Sequence, residues 1–288
     1  MRMGRLQLQV VSDGRFRLDG GAMFGVVPRV LWEKKKTPDT ENRIEMATNC
    51  LLIESGSDLI LVDSGIGDKH DRRFAEMFRL EVGAVRLPES IRAAGYELED
   101  VTHVLMTHLH FDHCGWNTRE RAGKLVPTFP QARYWIQRGE VEHANDPNDR
   151  DRASYDARNW QALFEADVVE LFDAVAEPVG GVRMVRVPGH NADMCMVLLD
   201  GGDGACGVYW ADLVPTTAHL PYAWVMGYDL YPLQTMENKH TWLPRAAAGN
   251  WLCFFEHDPE VPVARIVEQK PGRYVPVAVA EAVRTGGR

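Results

Sequence analysis

The stretch His108-Leu109-His110-Phe111-Asp112-His113 places three imidazoles and a carboxylate within six residues. Imidazole and carboxylate are the ordinary ligands of zinc and related divalent ions, and a tight turn lets alternate side chains of such a stretch converge on one point. A lone histidine near a core is more often a satisfied polar group than a ligand. Four such groups in one short loop are a different case, because without an ion they would be desolvated or crowded with nothing in return. The spacing predicts a metal-binding loop.

Such a loop needs a strand to carry it. The apolar run Val101 to Met106 leads into it, preceded by a helical segment with Ile91 and Ala94 that breaks at Gly95. The cluster therefore sits at the C-terminal edge of a strand, where α/β folds usually carry chemistry. Upstream, NCLLIES and DLILVDSG read as paired strands joined at Gly56-Ser57 and buried on both faces. Leu6 to Val11 and Arg15 to Asp19 alternate around Ser12-Asp13-Gly14, the pattern of a hairpin with an Asp-Gly turn. Residues 137–173 turn charged and Asn-rich, with helical spacing at Trp160, Leu163 and Phe164, and are expected to form a helical insertion or lid. Strands resume at Val182 to Val187, Met194 to Asp200 and Gly207 to Trp210, then a helix over Asn238 to Ala248 and strands near Ile266 and Val275. The order strands, helix, strands occurs twice, which predicts an α/β four-layer αββα sandwich formed by one domain spanning residues 1–288. Lys34-Lys35-Lys36 reads as a solvated loop.

Composition narrows the function. A net charge of −9 repels phosphate backbones, so no nucleic-acid partner is expected. Apolar runs such as Met194 to Leu199 fall far short of the roughly 20 residues needed to cross a bilayer, so no membrane partner is expected either. The N-terminus shows no continuous apolar signal segment, and the five dispersed cysteines form no C-x-x-C pair. Both point to a cytoplasmic protein with reduced thiols. A small-molecule substrate is the expected partner, and a homodimer is left open.

The chain resembles the metallo-β-lactamase superfamily, whose signature is the H-x-H-x-D-H loop. LVDSG at Leu61 to Gly65, RVPGH at Arg186 to His190, YWADL at Tyr209 to Leu213 and EHDP at Glu256 to Pro259 are similar to its other motifs in order and spacing. The resemblance implies that His108, His110 and His190 hold one metal, that Asp112, His113 and His257 hold a second, and that Asp212 bridges them. It also implies that Asp63 accepts a hydrogen bond from a ligand imidazole and fixes its tautomer. Cys114 is not needed by so complete a set and reads as a packed thiol.

Two divalent ions, zinc first with Mn, Fe or Co as substitutes, would ionise a bridging water to a metal-bridging hydroxide and polarise a substrate oxygen. Structural zinc sites are closed four-ligand cages, so a seven-ligand cluster argues against a non-enzymatic metal-bound sensor. Within the superfamily, His113 argues against a true β-lactamase. ADLVPTTAHLPYAWVMGYD and DGGAMFGVVPRVLW look like the lactonase and organophosphate-hydrolase branch. The expected reaction is hydrolysis of a lactone or ester; the alternative on the same site is a phosphoester, phosphotriester or thioester. Leu213 stands where that branch has a tyrosine after the bridging aspartate, leaving Tyr222 and Tyr228 as catalytic candidates beside Asp112 and Asp63. Met23, Phe24, Trp32, Tyr222 and Trp224 are expected to wall an apolar pocket.

Overall fold

A computed structural model describes residues 1–80 and 86–279. Its first sheet contains β1 (Arg2–Met3), β2 (Leu6–Asp19), β3 (Arg43–Ser55), β4 (Asp58–Val62) and β5 (His103–Leu105). After a separate hairpin, β6 (Thr118–Arg121) and β7 (Lys124–Pro127), the same sheet ends with β8 (Arg133–Gln137) and β9 (Val169–Phe172). The second sheet runs in chain order through β10 (Val175–Val179), β11 (Val182–Arg186), β12 (Cys195–Asp200), β13 (Cys206–Tyr209), β14 (Leu252–Phe254), β15 (Val263–Lys270) and β16 (Arg273–Ala278). The helices are α1 (Gly20–Phe24), α2 (Arg29–Trp32), α3 (Arg72–Phe78), α4 (Leu87–Ala93), α5 (Phe111–Cys114), α6 (Arg138–Asn145), α7 (Gln161–Glu165) and α8 (Pro232–Ala248). No helix among the described residues is long and apolar enough to cross a membrane.

The two apolar sides of β3 explain the layering. Leu51 and Ile53 join Ile60, Val62, Met184, Met196 and Val208 in the core between the sheets. Cys50 and Leu52 point the other way, into a cluster with Ile91 of α4, Val141 of α6 and Leu163 of α7. Alternation with period two, apolar on both faces, is what a strand covered on each side requires. Each such side chain contributes about 1.5–3 kcal/mol by leaving water. The expected α/β sandwich is the observed fold.

β4, β5, β8 and β9 are parallel, as are β13 and β14. β11 runs antiparallel to β12, and β12 to β13, so β11 points the same way as β13 and β14. The loops that follow β4, β5, β11, β13 and β14 consequently gather at the strands' C-terminal edges. Those loops contain Asp63, His108 to His113, His190, Asp212 and His257.

Four local expectations change. Ser12-Asp13-Gly14 is no hairpin turn: β2 continues through it, with Ser12 opposite Asn49 and Arg15 opposite Ala47. Two residues face one across the ladder, and Gly14 takes φ +110°, which makes this a β-bulge. The bulge re-aims Asp13, whose carboxylate accepts from the N–H groups of Ile66, Gly67 and Leu87 and from Trp116 Nε1. Residues 137–173 carry the expected helical turns, α6 and α7 among them, but as the crossover joining parallel β8 to β9, and Val169–Phe172 belong to the sheet because their ladder with β8 completes its edge. Lys36 is buried rather than solvated, paired with Asp258 at 2.9 Å. Finally, α8 starts six residues before Asn238, at a proline suited to a helix's first position.

Candidate metal centre

The seven predicted ligands come together. His108 lies in the loop after β5, His110 immediately precedes the single-turn α5, and Asp112 and His113 lie within it. All seven residues are buried, none more than 7% exposed. His190 Nε2 lies 3.0 Å from His110 Nδ1 and 3.2 Å from Asp212 Oδ2. His257 Nε2 lies 3.2 Å from Asp212 Oδ1, 3.2 Å from His113 Nε2 and 3.7 Å from Asp112 Oδ2. His108 and His113 approach Asp212 Oδ2 at 3.9 and 3.7 Å. Asp212 thus turns Oδ2 toward His108, His190 and His113 and Oδ1 toward His257. Ligand-type atoms of His108, His110 and His190 lie within 4.8 Å of one another, as do those of Asp112, His113 and His257.

These residues fit divalent ions. His108 Nε2 and His110 Nε2 are buried without hydrogen-bond partners, a costly state that a shared cation would relieve. Burial, then the neighbouring imidazoles, pushes His108 and His110 well below the usual histidine range, leaving their lone pairs free. Burial acts in the same direction on His257, yet Asp212 and Glu256 hold it up at about 9. Despite burial, His190, His257 and His113 keep Asp212 well below the usual carboxylate range. The cluster is built to hold positive charge between its carboxylates, which protons or metal can supply.

A second ring of partners orients the imidazoles. His113 Nδ1 faces Asp63 Oδ2 at 3.1 Å and Glu256 Oε2 at 2.9 Å. Asp63 is itself fixed by the N–H and hydroxyl of Thr107. His190 Nδ1 meets Asp229 Oδ1 at 3.1 Å, and His257 Nδ1 meets the Ala47 carbonyl at 2.8 Å. Such contacts select the tautomer that presents the other nitrogen to the centre. Asp63 was legible from its motif. Glu256 and Asp229 were not, although Glu256 stands next to the predicted His257.

The cluster floors a cleft of about 330 Å³. Leu18, Met23, Phe78, Phe111, Met226 and Tyr228 give it an apolar wall, and Arg150 and Asp151 a polar rim. Tyr228 lines the cleft, its hydroxyl pushed up to about 12 by burial and by Asp19 and Asp112. Tyr222 does not line it: its hydroxyl donates to Tyr274 and its ring stacks on His240 at 3.6 Å. The reason is local, since Lys239 of α8 holds the carbonyls of Pro221 and Trp224 and draws that loop end away. Of the other predicted wall residues only Met23 faces the cleft. Phe24 is stacked behind it between Trp32 and His219, with Trp224 edge-on. Cys114 is buried, its thiol donating to the Leu109 carbonyl, as a packed thiol should be.

Two mixed sheets, helices outside, and a His/Asp centre at the strand ends define a metal-binding αββα protein. Residues 43–206 match the metallo-beta-lactamase superfamily model, and the chain belongs to that superfamily. It is 26% identical over 211 residues to a probable metallo-hydrolase of Mycobacterium bovis, a match spanning 63% of this chain and 63% of that relative. An N-acyl homoserine lactonase of Bacillus cereus is 22% identical over 209 residues, covering 67% of this chain and 70% of the relative. Among solved structures, a probable metal-dependent hydrolase from Staphylococcus aureus superposes with a TM-score of 0.87 at 28% identity, covering 97% of this chain and 99% of that one.

Proposed function

We propose that the protein is a metal-dependent hydrolase that cleaves a lactone or ester whose acyl part rests on the apolar wall. The observation that carries this reading is the position of the seven-residue centre, with its partnerless buried acceptors, at the floor of an apolar cleft. Similarity to an N-acyl homoserine lactonase supports the choice of substrate. His108, His110 and His190 would hold one divalent ion, Asp112, His113 and His257 a second, and Asp212 both, with zinc the best match to this donor set. Bound there, the ions would polarise the scissile carbonyl and lower the pKa of water.

The chain's own groups do the rest. Asp63, Glu256, Asp229 and the Ala47 carbonyl hold the imidazoles in register. Leu18, Met23 and Met226 exclude water and bind the acyl group about equally in reactant and transition state. Tyr228, which lines the cleft and stays protonated throughout the neutral range, would donate a hydrogen bond to a substrate oxygen. The 137–173 segment would act as part of the one domain spanning residues 1–288, its Arg150, Asp151, Ala153 and Ser154 lining the cleft. The test is a hydrolysis screen of zinc-loaded protein over lactones, aryl esters, phosphotriesters, thioesters and a chromogenic cephalosporin. A lactone or aryl ester should give the highest kcat/KM and the cephalosporin the lowest; cephalosporin turnover above every lactone and ester would reject the reading.

A further inference from the structure

The first predicted ligand group is assembled from both sheets. His108 and His110 follow β5 of the first sheet, whereas His190 lies between β11 and β12 of the second. Nothing in either loop alone sets the gap between them. One side chain hydrogen-bonds to both loops, and its partners are not among the seven centre residues. Glu140, in the first turn of α6, is 1% exposed. Its Oε1 accepts from the Leu109 N–H at 2.8 Å and from the Tyr155 hydroxyl at 3.2 Å. Its Oε2 accepts from Asn191 Nδ2 at 2.7 Å. Leu109 stands between His108 and His110, and Asn191 immediately follows His190.

The orientation of each partner is set independently. Asn191 Oδ1 accepts from the Asp193 N–H at 3.0 Å, which leaves its amide N–H groups for Glu140. The N–H of Glu140 donates to the side chain of Gln137, so the start of α6 is itself capped. The Tyr155 ring meets His110 edge-on at 4.8 Å, giving the carboxylate a third line of contact to the centre. A buried acceptor with three donors from three segments is a satisfied network, and losing it strands donors on both loops.

We propose that Glu140 is a positioning residue that bridges the two ligand-bearing loops and sets the spacing of His108 and His110 against His190. The proposal rests on the reading that these histidines hold a divalent ion. Glu140→Gln is the sharp variant, because it keeps shape and volume but turns an acceptor toward Asn191 into a donor. Combining it with Asn191→Asp reverses the polarity of that bond: the new amide donates to the new carboxylate, and the Leu109 N–H keeps its acceptor.

The experiment titrates metal-free proteins with zinc against a chromophoric chelator, with melting curves of the metal-free forms and kcat and KM on the best substrate. Wild type should take up zinc, and Glu140→Gln should bind the tighter ion roughly 10- to 100-fold more weakly, as expected when a group orienting ligands is lost. Its kcat should fall with KM little changed, and the double variant should recover most of both losses. Wild-type protein that takes up no zinc overturns the hydrolase reading and this proposal with it. Wild type that binds while Glu140→Gln binds equally well overturns the bridge alone. A loss that the double variant does not recover also overturns it, because a merely structural role predicts two additive losses. Should Glu140→Gln fail to fold, Asn191→Ala removes only the far end of the bridge, and unchanged zinc affinity there is the overturning result.

Discussion

The floor and the wall of the cleft are built by opposite rules. Four of the floor's five imidazoles have a second nitrogen fixed by another group, His108 by the Thr107 hydroxyl, His113 by Asp63 and Glu256, His190 by Asp229 and His257 by the Ala47 carbonyl. The wall has no such fixing: Leu18, Met23 and Met226 hold their places by packing, over a second layer of Phe24, Trp32 and His219. Directional bonds fix the positions of reacting groups, whereas non-directional apolar contact tolerates substrates of varied shape. Damage to the floor should therefore appear in metal content and kcat, and damage to the wall in KM.

The largest effect tests the floor directly. His110→Ala or Asp212→Ala should lower kcat by on the order of 10³-fold or more, the scale on which loss of an essential activating group acts. Elemental analysis should find about two ions per chain in wild type and fewer in either variant. Retained kcat after either change would remove the centre from the chemistry. A step further out, Asp63→Ala should weaken zinc binding by roughly 10- to 100-fold, since it orients His113 without joining the cluster. Unchanged zinc titration would make Asp63 a support of the Thr107 turn only.

The same contrast decides what the sequence could reveal. Histidine and aspartate are scarce enough that four of them in six residues stand out against chance, and the strands that carry them were legible because period-two apolar runs have few other causes. Met23 and Phe24 are neighbours of similar character, and no pattern in the sequence says which faces the cleft. Tyr222 and Tyr228 differ in the same hidden way, through the Lys239 contacts that fold back one end of their loop. At Ser12-Asp13-Gly14 the local signal was real but ambiguous, since Asp-Gly suits a turn and a bulge alike. The long-range donors to Asp13 decided it. Glu140 escaped notice because its partners, Leu109 and Asn191, are 31 and 51 residues away.

Wall variants sharpen the comparison at smaller magnitude. Met23→Ala and Met226→Ala each remove apolar contact of about 1–3 kcal/mol, so KM should rise roughly 10- to 100-fold with kcat nearly constant. Phe24→Ala, one layer back, should instead cost about 3–5 kcal/mol of stability, as large-to-small changes in a packed core do. An unchanged KM in both methionine variants would return those residues to the core, and the floor would stand unaffected.

The smallest effect concerns the layer behind the wall. His219 is buried, stacked on Phe24 at 4.7 Å, with Nε2 donating to the Met23 carbonyl and Nδ1 accepting from the Thr216 hydroxyl. Burial pushes it down to about 4, so the folded protein keeps it neutral where the unfolded chain, near 6.5, already takes up a proton. Its contribution to stability is therefore complete above pH 6.5 and fades as pH falls toward 4, by about 1.4 kcal/mol per unit. Glutamine cannot titrate but can still donate and accept. Between pH 7 and pH 5, metal-free wild type should lose about 2 kcal/mol more than metal-free His219→Gln, read from urea unfolding. The acidic and imidazole groups of the floor are common to both proteins and cancel in that difference. Parallel losses in the two proteins would mean that His219 carries its proton inside the fold, and that the Met23 carbonyl is held by an imidazolium rather than by a neutral ring.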